Sequence, residues 1–427
     1  MRISDYLERE WRPALGCTEP ASIAYAAAQA AAQAEGPIRA AHLVCDPRIY
    51  KNCYAVGIPH SGGRAGILQS LAIGAQLPDP DAGLECFKGI TPAVLAGVDE
   101  MLRADAVTVQ VDASRQELYV DCRVQGAEGS GRAVIEGEHT RLIRLERAGV
   151  AAALPGDAGD AEQGSGPIRE ALAGLSFHAL IALAESIGPE DEVRLRDGIA
   201  MNVAIARHGL GLFPRRFIQL TGNDLESRLS RLVCAGVHAR MSGEDLPVMS
   251  LAGSGNKGIT TSVPLHLWAE EQGLDPVRTL RALTLALLVT SATTHHLGTL
   301  SAVCGCSNAA GMGLAAGLVY LEEGDEETMS LALNNMVGNV SGMICDGAKI
   351  GCALKTMTSV DAAFRAMALA LSGIGIPVSD GIVGRDGAAS LRNLGRIATD
   401  GMKTMDTEIL RIMEEKLRDA AQGGGAR

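Results

Sequence analysis

Between Ala106 and Ala148 the chain changes its hydrophobic period, and this change constrains the fold more than any other feature of the sequence. The runs AVTVQVD, ELYVDCRVQ, GRAVIEGE and TRLIRLER alternate apolar and polar residues, separated by Ser-, Gly- and Glu-rich turns. A period of two is the mark of half-buried strands, so these runs predict a small antiparallel sheet. On either side, apolar residues gather in longer stretches such as SFHALIALAESI, VRTLRALTLALLVTSATTHHL and VDAAFRAMALALSGI, which read as helices. The expected fold class is α+β, with a small antiparallel-sheet subdomain inserted into a mainly helical domain.

The expected boundaries follow from this pattern. Residues 1–95 are the N-terminal part of the helical domain, with the Ala-rich stretch from 18 to 95 read as helix, loop, helix. Residues 96–166 form the inserted α+β subdomain, closed by the polar, glycine-rich linker GDAGDAEQGSG at 156–166. Residues 167–420 are the helical domain proper, and the tail from Ala420 is expected to be disordered. Aromatic residues make up 3% of the chain against 51 Gly, so packing has to come from Ala, Leu and Gly at close helix contacts.

Ten cysteines at irregular spacing carry the chemical signal. Cys17 lies in ALGCTEP near the start, whereas Cys304, Cys306, Cys345 and Cys352 come far downstream in glycine-rich surroundings. This distribution suggests a soft-metal site built from distant segments. Thr18 is a good N-cap, with Glu19 and Pro20 suited to a first helical turn, so Cys17 is expected beside the positive end of a helix, where a thiol pKa falls. Cys345 and Cys352 on one continuous helix would stand about 10 Å apart, too far for neighbouring ligands. CDGAK reads as a turn entering a helix, which favours Cys345 as ligand and Cys352 as core. Cys304 and Cys306 would point about 200° apart on a helix, so only one faces a metal unless Gly305 opens the backbone. The spacing is not that of a zinc-ribbon pair. Cys45, Cys53, Cys86, Cys122 and Cys234 read as buried apolar residues.

Two glycine-rich loops offer anion-binding groups. LAGSGNKG places Ser254, Asn256 and Lys257 among closely spaced amides. KNCYAVGIPHSGGR places Lys51, Asn52, His60 and Ser61 in a second loop that fits no Walker or dinucleotide motif. His60, Lys257 and Lys51 are candidate catalytic bases; Asn52, Ser61, Ser254 and Asn256 are candidate substrate-binding groups. Either loop is also compatible with a plain tight connection. His295 and His296 are adjacent at the end of an apolar helix, so at most one of them faces a site, and a structural role is as natural.

A formal net charge of -12 argues against a nucleic-acid partner. No uncharged apolar run reaches the roughly 18 residues that span a bilayer. The charged N-terminus MRISDYLEREWRP lacks the apolar core of a signal peptide, so a cytoplasmic protein with reduced thiols is expected. Small molecules are the expected ligands, and a homodimer is a compatible assembly.

Five motifs in order, ALGCTEPASIAYA, KNCYAVGIPHSG, GSGNKG, LSAVCGCSNAAGMG and GMICDGAKIGCALK, resemble the iron-sulfur L-cysteine desulfidase family, which is related to the alpha part of iron-sulfur bacterial L-serine dehydratases. The similarity runs through nearly the whole chain outside the β-rich insert. It implies a [4Fe-4S] cluster held by three cysteines with one iron open to substrate. By motif, Cys17 and Cys345 carry over as ligands, and the third is Cys304 or Cys306, with the serine dehydratase pattern slightly favouring Cys306. The implied reaction is β-elimination of L-cysteine to pyruvate, ammonia and sulfide. L-serine dehydration is the close alternative. Two other classes are a pyridoxal-phosphate lyase through Lys257 and a cluster-bearing sensor or storage protein. The first leaves the cysteine motifs unexplained, and the second lacks a DNA-binding signature.

Overall fold

The computed structural model describes residues 1–115, 117–155, 165–220 and 222–422. The fold is α+β, as the sequence predicts. The four alternating runs are strands: β3 (Val107–Val111), β4 (Tyr119–Gly126), β5 (Ser130–Glu136) and β6 (Leu142–Arg147), followed by the short β7 (Val150–Ala151). The sheet is mixed rather than purely antiparallel, in the order β3-β2-β4-β5-β6-β7, because β2 (Ile38–Cys45) pairs in parallel with β3 and antiparallel with β4. β2 interrupts the expected helix-loop-helix reading of residues 18–95. Its sequence IRAAHLVC hides the alternation behind two alanines, yet Ala41, Leu43 and Cys45 are buried on one face.

The helix Thr18–Gln33 lies across β4 and β5, and its alanines permit a close approach to the sheet. Two hydrophobic clusters result. One runs from Leu15 to Leu145 and takes in Leu300. The other joins Ile3, Tyr6, Leu7, Trp11 and Cys17 to the helices beyond Leu172. The expected 1–95 part is thus shared between both clusters, with most of it packed on the sheet. The linker expected at 156–166 falls largely outside the described residues, as do the last five residues of the expected tail.

A separate two-stranded ribbon ties the chain's beginning to its middle. β1 (Trp11–Leu15) pairs antiparallel with β8 (Pro247–Leu251), Trp11 opposite Leu251 and Leu15 opposite Pro247. The helix Gly255–Glu271 starts directly after β8 and is almost wholly buried. A Cβ on Gly258 would fall 1.9 Å from the Met249 carbonyl oxygen, so only glycine lets this helix sit so tightly on β8. The long helices Pro189–Leu210, Leu225–Ser242, Pro276–Leu297, Asn308–Leu321 and Gly351–Leu371 surround it, and Glu326–Val340 packs on the last two of these. Among the described residues, no helix is long and apolar enough to cross a membrane.

Candidate active site

Four distant segments converge at the start of the helix Gly255–Glu271. The β1–β8 pairing delivers Cys17 to the loop before that helix, where the Thr18 hydroxyl donates to the Gly253 carbonyl at 3.0 Å. That loop holds Ala252 at a φ of +47° and Gly253 at +76°. A left-handed alanine costs about 1–2 kcal/mol and persists only where its surroundings enforce it. The two late cysteine segments are themselves paired. Val303 and Ile344 form an antiparallel bridge, the Cys304 amide donates to the Met343 carbonyl at 2.8 Å, and the Cys345 amide donates to the Ala302 carbonyl at 2.7 Å.

The segment Lys51–Asn52 fastens this pair to the N-terminal part. Lys51 Nζ donates to the Cys345 carbonyl at 2.7 Å and to Asp406 Oδ1 at 2.5 Å. Asn52 Oδ1 accepts from the Ala348 amide at 3.1 Å, and Asn52 Nδ2 donates to Glu19 Oε1 at 3.2 Å. Gly347, with φ at +103°, passes so near the Lys51 carbonyl that a Cβ would lie 2.4 Å from it. No other residue fits there.

Cys17, Cys304, Cys306, Cys345 and Cys352 all line one cavity at this junction. It is narrow, about 60 Å³, so seating any group larger than a few waters requires outward movement of the loop side chains. Cys17 is the residue before the helix Thr18–Gln33, as expected, but its thiol pKa is pushed well up by burial, reinforced by the nearby Glu19 carboxylate. The expected lowering by the helix end does not prevail. A helix N-terminus contributes about 0.3–1 kcal/mol, whereas an unpaired buried charge costs several. Cys17 Sγ donates to Glu19 Oε2 at 2.9 Å instead. Cys304 and Cys306 lie in the turn before the helix Asn308–Leu321, not on a helix, so the 200° separation does not apply and both reach the cavity. Their side chains are hydrogen-bonded, and the thiolate settles on Cys306, held low by the Cys304 thiol with help from Ser254, Lys257 and Arg240. Ser254 Oγ lies 3.5 Å from Cys306 Sγ. Cys352, the second residue of its helix, borders the cavity too and donates to the Gly347 carbonyl at 3.6 Å.

Positive charge lines the same cavity. Lys257 is buried, donates to the Ala252 carbonyl at 3.1 Å, and has its pKa pushed down to about 8 by burial, with Arg169 adding repulsion. Arg240 is 2% exposed; its Nη1 donates to Asn256 Oδ1 at 2.9 Å, while its Nε and Nη2 have no partner. Leaving a buried donor unmade costs about 1–3 kcal/mol, more for a charged group, so these atoms are suited to receive an anion. His139, in the β5–β6 connection, is buried with an unpartnered Nε2, and burial lowers its pKa to about 4, which keeps the ring neutral. Arg240 and His139 sit in no sequence motif, and in the sequence Glu19 stands out only as a first-turn residue of the cysteine motif.

Not every expected site residue is here. Asn52, Ser254, Asn256 and Lys257 line the cavity with the thiols. Lys51 sits just behind it, committed to Asp406 and the Cys345 carbonyl, which removes it as a base. His60 lies away from the cavity; its amide and Nδ1 both face Asp245, the latter at 3.3 Å. Ser61 closes its own turn, donating to the Ile58 carbonyl at 2.6 Å and accepting from the Arg64 amide. A composition rich in Gly, His and Ser served a turn here. His295 and His296 end their helix outside the cavity as well, with rings 5.6 Å apart.

The donor set suits a polynuclear iron-sulfur group. Among the described residues, no three His, Cys, Asp or Glu side chains converge to grip a single ion. Thiols brought to one cavity by separate segments can each take a different iron of a cluster.

Helices assembled around thiols from both ends of the chain define a class that comparison identifies. The family described as serine dehydratase alpha chain matches residues 132–411, and the chain belongs to that family. Its relatives include the UPF0597 protein GSU1527 of Geobacter sulfurreducens, 36% identical over 96% of this chain and 98% of its own length. UPF0597 protein YhaM of Shigella sonnei is also 36% identical, over 96% of each chain. A UPF0597 protein of Caldanaerobacter subterraneus, TTE0269, is 34% identical over 97% of this chain and 98% of its own.

Proposed function

We propose that this chain is an iron-sulfur-dependent lyase that cleaves L-cysteine by β-elimination to pyruvate, ammonia and sulfide. The observation that carries the reading is the gathering of five thiols around one cavity together with two unpartnered guanidinium donors and a buried amine. Cys17, Cys306 and Cys345 would hold a [4Fe-4S] cluster. When bound, the cluster supplies a Lewis-acidic iron that stabilises developing negative charge.

The remaining work falls to side chains of the cavity. Arg240 Nε and Nη2 take the substrate carboxylate, a charge-assisted contact that satisfies both donors and fixes the amino acid's orientation. Lys257, pushed down to about 8, is neutral often enough near neutral pH to accept the α-proton. The Cα–H electron pair becomes the Cα–Cβ double bond as the Cβ–S bond breaks, releasing sulfide and 2-aminoacrylate. Tautomerisation to the imine and hydrolysis by water then give pyruvate and ammonia. Ser254 and Asn256 position groups around this proton transfer, and neutral His139 offers a further hydrogen-bonding atom.

The family description favours a second reading, L-serine dehydration on the same site, in which hydroxide leaves in place of sulfide. A pyridoxal Schiff base on Lys257 would give the cavity's thiols nothing to do. The test is anaerobic preparation with iron and sulfide analysis, followed by turnover of L-cysteine and L-serine side by side. A brown, iron-containing protein that releases sulfide from L-cysteine supports the proposal. A colourless active enzyme, or one with a pyridoxal aldimine band, refutes the cluster, and turnover of L-serine alone transfers the assignment to the second reading.

A further inference from the structure

A second cavity, of about 660 Å³, opens on the far side of the helix that carries Lys257. Its size falls in the range of small-molecule pockets, about 300–1,000 Å³. One wall is a single stripe of the helix Pro189–Leu210: Arg196, Ile199, Ala200, Val203, Ala204 and Arg207, at spacings of three and four that place all six on one face. The other wall comes from His266 and Glu270, one turn apart near the end of the helix Gly255–Glu271. Leu274 and Leu280 complete an apolar floor with Ile199 and Val203.

The charges of this cavity are arranged in opposition. Arg196 already has a partner on its own helix, Glu192, at 3.3 Å. Arg207 and Glu270, by contrast, have no ion-pair partner among the described residues, although both act on His266. Burial pushes the His266 pKa down, with Glu270 pulling one way and the two arginines the other. A cation and an anion flanking an aliphatic floor complement a zwitterion with a hydrocarbon side chain. Both charged groups are exposed at the rim, so a simple fatty acid would gain nothing from Glu270, and an amine nothing from Arg207.

We infer that this cavity binds an aliphatic α-amino acid, its carboxylate on Arg207, its ammonium on Glu270, and its side chain against Ile199, Val203, Leu274 and Leu280. The inference does not depend on the elimination reading, since it concerns another cavity and its test reads binding. The same helix joins the two sites: Lys257 and His266 are nine residues apart, about 13 Å along the axis.

Equilibrium dialysis of the full chain with labelled L-leucine tests it. The expected result is one saturable site per chain, with affinity lowered at least about tenfold in Arg207→Ala and in Glu270→Gln, the loss expected for one charge-assisted contact. Ala204→Trp, which fills the cavity from an exposed helix position, should abolish binding without unfolding the chain. Both 4-methylpentanoate and 3-methylbutylamine, each lacking one charge, should bind more weakly than L-leucine. No saturable binding at millimolar L-leucine overturns the inference. So does binding that is unchanged in all three variants, or 4-methylpentanoate binding as tightly as L-leucine.

Discussion

Lys51 Nζ donates to the carbonyl oxygen of Cys345 at 2.7 Å, a contact between residues 294 positions apart in the chain. Its ammonium is neutralised by Asp406, so the lysine works as a buried clamp on the loop that presents Cys345. Stranding a buried charge costs about 3 kcal/mol or more, and losing Lys51 costs less than that, because Asp406 keeps a second partner in Arg48 Nε at 2.8 Å, but it frees the Cys345 carbonyl. Lys51→Ala should therefore lower the denaturant midpoint and the iron content together. A Lys51→Ala protein with full iron and unchanged stability would show that the clamp is dispensable.

The paired thiols should separate by substitution. Cys306 carries the thiolate and faces Ser254, whereas Cys304 donates to it from a buried position. Cys306→Ala is expected to lose the cluster, as are Cys17→Ala and Cys345→Ala, while Cys304→Ala retains most of its iron. Iron analysis after anaerobic reconstitution decides, and equal loss in Cys304→Ala and Cys306→Ala would make both sulfurs ligands.

Arg240 and Lys257 should fail in different ways. Arg240→Lys keeps a charge but loses the planar fork, so KM for the amino acid should rise by about tenfold or more with iron unchanged. Lys257→Ala should lower kcat by roughly 10²-fold and stop exchange of the substrate α-proton with deuterated solvent. Exchange at the wild-type rate in Lys257→Ala would exclude this amine as the base.

The pH dependence follows from the same amine. A base works deprotonated, so kcat/KM should rise with pH through about 8 and level off above it. That rising limb should be missing from the residual activity of Lys257→Ala; a limb that survives belongs to another group.

His60 should matter little. Its contact is with Asp245, side chains 36% and 53% exposed, and such pairs contribute about 0–1 kcal/mol. His60→Ala is expected to keep turnover within about twofold of wild type, measured beside Lys257→Ala as a reference. A large loss in His60→Ala alone would mean that this loop moves to the cavity during turnover.

Local signals were legible in the sequence, and long-range ones were not. Strands β3 to β6 announced themselves by alternation, and the long helices by their apolar stretches. The thiols that share the cavity stood out through their glycine-rich settings, as did Ser254, Asn256 and Lys257. β2 escaped because alanine at positions 40 and 41 blurs its alternation, although it is central to the sheet. Arg240 and His139 escaped because nothing in a helix interior or a hairpin connection marks an unpartnered donor before the chain is folded. The Cys17 thiol went the other way from expectation because local helix geometry is visible in sequence, whereas depth of burial is a property of the whole fold.

The ribbon of β1 and β8 has a consequence for how the protein is made. Trp11 emerges from the ribosome long before its partner Leu251. At synthesis rates of about 5–20 residues per second, the wait is on the order of ten seconds or more. Throughout that interval a strand edge and a large indole stay exposed on the nascent chain, and the last thiols have not been translated. On the proposed reading, iron and sulfur are delivered only after Cys345 has been translated, and Trp11 stays without its partner until Leu251 has followed it.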